Sequence, residues 1–177
     1  MKGTITKILT LILAGIMVFS LTACMGGGNL ETLGDEEFCN ELWLRLDENV
    51  PEATPQGLTA LTEEEQTFYV LSDFNFHFQC GGLAQYLYNT QAAYVDEVSE
   101  ALKSMELYEM AKLYDDFFTD NDINLTDFTE GEMNSETLYE KYPLNDFDDA
   151  FYACYDEHDL TKILADFGRE HILENDR

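Results

Sequence analysis

Phe74-Asn75-Phe76-His77-Phe78-Gln79-Cys80-Gly81-Gly82-Leu83-Ala84-Gln85-Tyr86-Leu87-Tyr88-Asn89 is the stretch whose reading decides the fold. Three phenylalanines lead into a glycine pair, and glutamine, tyrosine and asparagine follow at spacings that share one helical face. Each glycine costs roughly 1 kcal/mol in a helix interior relative to alanine, so the pair should end or kink a helix. Gly81 and Gly82 also permit close helix approach or a turn of positive φ. Gln85 and Asn89 stand four apart. They can bond each other or the backbone groups that a break would free. The same residues can also be read as a ligand pocket lined by His77, Gln85, Tyr86 and Asn89.

Upstream of this stretch, Thr62-Glu63-Glu64-Glu65 fits a capping box just ahead of an apolar run. The helix it opens carries Val70, Leu71, Phe74 and Phe78 on one face, with Tyr69 and Phe76 elsewhere. A helix apolar nearly all round is central. Before it, Asp35 is placed to cap a helix over 36–48 with Phe38, Leu42 and Leu46 on one stripe. Val50 to Gly57 holds Pro51 and Pro55 and reads as a loop.

Downstream, a short helix should carry Leu83, Tyr86 and Leu87. Tyr94, Val95, Val98, Ala101, Leu102 and Met105 then recur with the 3.6-residue period, as do Leu107, Met110, Ala111, Tyr114, Phe117 and Phe118. A tight turn near Ser104-Met105-Glu106 should join the two. Thr119 to Asn134 reads as a polar loop and Ser135 to Tyr142 as a helical turn or two stopped by Pro143. Phe147 to Tyr155 reads as another helix. Leu160, Ile163, Leu164, Phe167 and His171 define the last. No stretch alternates like a strand. The expected class is all-α, a single domain of six or seven packed helices over 35–177.

The N-terminus reads as an address. Lys2 and Lys7 precede an apolar run from Ile8 to Phe19, too short for a comfortable membrane span. Leu21-Thr22-Ala23-Cys24 resembles the lipobox of bacterial lipoproteins. The resemblance implies a signal peptide over 1–23, cleavage before Cys24 and diacylglyceryl attachment to its sulfur. Residues 24–34, with Gly26-Gly27-Gly28, then read as a flexible tether. The expected place is the extracytoplasmic face of the cell membrane, held by lipid.

The 177 residues hold 36 acids and 9 bases, for a formal net charge of −27. None of the acids precedes Cys24, so removing 1–23 leaves 36 acids against 7 bases, −29. With 45% hydrophobic and 13% aromatic residues the chain can still bury a core. Such a field repels nucleic acid and attracts basic proteins in a salt-sensitive way. It serves solubility as well. Cys39 and Cys154 fall on apolar stripes and read as small core residues. With Cys80 they allow at most one bridge, which spacing does not assign.

Asp120-Asn121-Asp122-Ile123-Asn124 begins like a calcium loop. It fails where Leu125 replaces the required glycine and Gly131, between Glu130 and Glu132, replaces the bidentate glutamate. His77, His158 and His171 are scattered, and no zinc spacing, nucleophile elbow, P-loop or dinucleotide fingerprint occurs. No cofactor, metal or catalytic residue is expected.

The central stretch resembles the acidic bacterial DNA-mimic protein family, whose pattern is Glu-Val-x-Asn-Gly-Gly-Phe-x-Gln-Tyr-Phe-x-Asn. Gly81, Gly82, Gln85, Tyr86 and Asn89 match it, while His77 and Cys80 replace the Glu and Asn. Phe147-Asp148-Asp149 with Phe151-Tyr152, and a last helix ending Arg169-Glu170-His171, are similar to the family's C-terminal pattern. The resemblance covers roughly 36–173. It implies an all-helical fold and carboxylates that imitate DNA phosphates toward a DNA-binding protein. A duplex presents one negative charge per about 1.7 Å of axis, and its binders present Lys and Arg to match. The resulting expectation is a non-enzymatic module for a basic protein or peptide, with no direct nucleic acid binding. An immunity-type or structural lipoprotein, an envelope hydrolase, and a homodimer stand as alternatives.

Overall fold

The structure, a computed structural model, describes residues 29–129 and 135–173. Cys24, the signal peptide expected over 1–23 and the Glu130-Gly131-Glu132 end of the calcium-like loop lie outside the described residues. Among those described there are nine α-helices and no strand. They are α1 (Asp35–Asp47), α2 (Pro55–Leu58), α3 (Glu63–Asn89), α4 (Glu97–Ser104), α5 (Tyr108–Asp120), α6 (Thr126–Thr129), α7 (Ser135–Lys141), α8 (Leu144–Glu157) and α9 (Leu160–Phe167). The all-α expectation stands. The excess over six or seven comes from the single turns α2 and α6, too short to leave a periodic trace.

Helix α3 is the axle. Helices α1, α4, α6, α8 and α9 all pack on it, and Phe68, Tyr69, Val70, Leu71, Phe74 and Phe78 are buried around its circumference. It starts where the capping box demands. Thr62 Oγ1 accepts the Glu65 N–H at 3.3 Å, and Glu65 Oε2 accepts the Thr62 N–H at 2.8 Å. Phe74 is the hub of the core, with ring centroids of Phe78, Tyr86, Tyr114 and Phe151 between 4.9 and 5.9 Å away. Phe76 points out, 54% exposed.

Several boundaries move for identifiable reasons. Gly34, not Asp35, is the N-cap of α1, and Asp35 is the first helical residue, where its charge still suits the helix dipole. Within the expected 50–57 loop, Thr54 Oγ1 accepts the Gly57 N–H and Pro55 takes the first helical position, so a turn forms. The period beginning at Tyr94 becomes helical only at Glu97, because Gln91 and Ala92 adopt left-handed φ of 53° and 54° and reverse the chain first. The tight turn at 104–106 is present, with Glu106 at φ 61°. The 119–134 loop contains α6, which inserts Phe128 into the core.

The last helix widens into a π-turn over Gly168–Leu173. The inward positions become Leu164, Gly168 and Ile172, and His171, expected on the apolar stripe, lies exposed against Phe167.

The tether expected to reach residue 34 is taken up earlier. Leu30–Thr32 form a 3₁₀ turn with Leu30 buried. Arg169 donates to Asp35 Oδ1 at 2.7 Å and to the Leu33 carbonyl at 3.1 Å, and its guanidinium sits 4.6 Å above the Phe38 ring. The described N-terminal segment is thereby clasped to the C-terminal turn. Among the described residues no helix is long and apolar enough to cross a membrane.

Candidate functional site: the break in the central helix and the cleft beside it

The break lies at Gly81 (φ 178°, ψ 36°) and Gly82 (φ 70°, ψ −167°). Gly81 is extended backbone. Gly82 is the position that needs a glycine, and a Cβ there would stand 2.1 Å from Asp148 Oδ2. Breaking a helix frees backbone groups that must find partners when buried. Asp148 Oδ1 accepts the Leu83 N–H at 2.9 Å, and the Tyr152 hydroxyl donates to the Phe78 carbonyl at 2.9 Å. Tyr139 donates to the other Asp148 oxygen at 3.2 Å. Burial pushes the Asp148 carboxyl up, and the Leu83 N–H and Tyr139 hydroxyl oppose that. The two separated parts of the sequence pattern therefore meet: Phe147-Asp148-Asp149 closes what Gly81-Gly82 opens.

Across the break a polar chain runs back along α3. Gln85 Nε2 donates to Asn89 Oδ1 at 2.7 Å, and Asn89 Nδ2 lies 3.0 Å from His77 Nδ1. Burial lowers the His77 pKa, favouring the neutral ring. With Asn89 donating to Nδ1, the ring proton belongs on Nε2, which faces Asp73 Oδ1 at 3.6 Å. The structure thus brings His77, Gln85 and Asn89 together. Tyr86, grouped with them by sequence, points the other way. Its ring is fully buried edge-on to Phe74, and its hydroxyl has no hydrogen-bond partner.

His77 and Asn89 stand at one end of a cleft of about 560 Å³ between α1, the start of α2, the first half of α3 and the 89–94 turn. Its aromatic wall is Trp43 stacked on Tyr69 (5.4 Å, 11°), with Tyr94 edge-on to Tyr69 at 5.8 Å. Tyr69 donates to Asp47 Oδ1 at 2.7 Å. The Tyr94 hydroxyl lies against that of Tyr69. Asp73 Oδ2, Trp43 Nε1, Tyr86 Oη and Glu97 Oε2 are buried without partners, and the Asp73 and Glu97 charges bear on Tyr86. Burial, then the Asp47 charge, pushes the Asp73 carboxyl up to about 7. Sequence reasoning passed over Trp43, Tyr69, Asp73 and Tyr94 as site residues. The available signal was Asp73, the single acid between Gln66 and Asn89, in the part of α3 that follows its acidic first turn.

Outside the cleft the surface is anionic and its cations are engaged. Arg45, Lys103, Lys112, Lys141, Lys162 and Arg169 each pair with a carboxylate, so every described lysine and arginine is neutralised within the chain. Cys39, Cys80 and Cys154 are free thiols. Cys39 and Cys154 are buried, and burial pushes Cys39 up to about 12. Among the described residues no three His, Cys, Asp or Glu side chains are grouped to hold a metal. In the calcium-like stretch Asn124 Oδ1 accepts from the Thr126 N–H at 3.3 Å, so that side chain starts α6.

A strongly acidic, all-helical domain wound on a glycine-broken axle and closed by a late aspartate is a distinct class of protein. The chain belongs to the DMP19-like protein family, which it matches over residues 59–171. The family takes its name from a DNA mimic protein. Neither a curated protein nor a solved structure matches the chain.

Proposed function

We propose that the chain is a lipid-anchored, non-enzymatic acidic module that binds a basic protein through surface carboxylates, as a DNA mimic does. The observation that carries this reading is the pairing of every described cation within the fold. Among the described residues no lysine or arginine is left to face a partner unpaired, on a chain whose net charge after removal of 1–23 is −29. Membership of the DMP19-like family supports the same reading. The lipobox at 21–24 supports a diacylglyceryl group on Cys24 and a position on the outer face of the cell membrane. The partner is then a basic protein or peptide outside the cytoplasm.

Capture from envelope extract on the immobilised domain tests the binding. The expected partner is retained at low salt, released at high salt and displaced by added duplex DNA, which competes for its cationic face. A captured protein indifferent to both salt and DNA would favour the immunity-type alternative. The observation that favours an envelope hydrolase is Asp73 facing His77 in a cleft, a carboxylate of raised pKa beside a neutral imidazole. Family membership weighs against it. Mass spectrometry of the native protein tests the anchor: an unmodified thiol at Cys24 removes it.

A further inference from the structure

The geometry points to the Trp43–Tyr69–Tyr94 cleft, floored by Asp73, as a socket for one lysine side chain of the partner. This deepens the reading above and rests on it. Three features converge on a cation with an apolar stem. The stacked Trp43 and Tyr69 rings, with Tyr94 edge-on, form an aromatic wall of the kind that takes a methylene chain and attracts an ammonium. Asp73 Oδ2 is a buried acceptor without a donor, and Tyr94, whose hydroxyl lies against that of Tyr69, is only 2% exposed. A buried acceptor left unpaired is costly, and an ammonium carries three donors. Asp47 at the mouth and Glu97 behind add negative charge, and no described lysine or arginine pairs with Asp47, Asp73 or Glu97. The unpartnered Trp43 Nε1–H supplies the complementary donor for a peptide carbonyl. An anionic ligand would be repelled by Asp47 and Asp73, and a wholly apolar one would leave Asp73 Oδ2 unpaired. Trp43 and Asp47 lie outside the segment matched by the family model, 59–171, and Tyr69, Asp73 and Tyr94 lie within it.

Trp43 is the sole tryptophan, so its emission reports on the cleft. The full domain is titrated with a blocked lysine tripeptide (acetylated and amidated), its norleucine counterpart and n-butylammonium chloride, all at one ionic strength. The lysine peptide should change Trp43 emission saturably and the norleucine peptide should not. n-Butylammonium should bind more weakly than the lysine peptide, because it lacks the carbonyl for Trp43. Asp73→Asn and Tyr94→Phe, each checked for fold by circular dichroism, should weaken the lysine peptide about tenfold and several-fold. Asp116→Asn, on a distant face, should leave it unchanged. Equal responses to lysine and norleucine, or undiminished binding by folded Asp73→Asn, overturn the socket. n-Butylammonium binding as tightly as the peptide also overturns it, pointing to a free-amine site instead. Partner capture that persists with Asp73→Asn sinks the socket while leaving the acidic module intact. Absence of any salt-sensitive partner with the native sequence sinks the module itself.

Discussion

Asp148 accepts the backbone N–H of Leu83 at 2.9 Å, across 65 positions of sequence, and so caps the second half of the central helix from outside it. Removing the carboxylate leaves that N–H buried without an acceptor. Asp148→Ala should cost about 1–3 kcal/mol in denaturant unfolding. Tyr139→Phe, which removes a 3.2 Å bond to the same carboxylate, should cost less. Equal losses would mean that the Leu83 bond is not the principal one.

Gly82 combines a positive φ with the closest approach a Cβ would make at any described glycine turn of α3, 2.1 Å from Asp148 Oδ2. Gly82→Ala should therefore destabilise by roughly 2–4 kcal/mol, through backbone strain and displacement of the cap. Gly81→Ala should cost less, because its φ of 178° is open to any residue and its Cβ would meet only the Gln85 side chain, at 3.0 Å. Thermal melts of the two variants should rank them in that order.

Asp73 gives the unliganded protein a pH signature. Its folded pKa, about 7, is raised above the ordinary 3.8. The native state therefore binds the proton more tightly than the unfolded chain. Stability from this group is full below about pH 4 and is lost as pH rises from there through 7, by up to ~1.4 kcal/mol per pH unit. Asp73→Asn should match the native protein near pH 4 and exceed its stability near pH 8. A constant difference across that window would place Asp73 in a solvated site.

Gln91 and Ala92 hold left-handed backbone without being glycine, and the turn they make leads into Tyr94. Ala92→Gly should stabilise the domain by about 1 kcal/mol. If the strain serves to fix Tyr94, the same change should weaken the lysine peptide in the fluorescence titration.

Local features were legible and distant ones were not. The Thr62–Glu65 box and the Gly81-Gly82 break are written within a few residues, and both stand where the sequence places them. The Gln85–Asn89 bond follows from a spacing of four. By contrast Tyr152 to Phe78 and Tyr155 to Asn75 are bonds across 74 and 80 positions, which no periodicity encodes. The cleft is a product of tertiary packing: Trp43 from α1 meets Tyr69 from α3 and Tyr94 from the following turn. Tyr86 misled because helical spacing groups side chains by face but does not say which face another helix will cover. His171 misled because a π-turn changes the period in its own last six residues.

The Asp148 cap also sets a timetable. While the ribosome has delivered only the first hundred residues, the bend in the axle exists without the carboxylate that closes it, and the Tyr152 hydroxyl owed to Phe78 is missing as well. The nascent half-molecule thus lacks both closing bonds until α8 is synthesised, and the chain can complete its core only late.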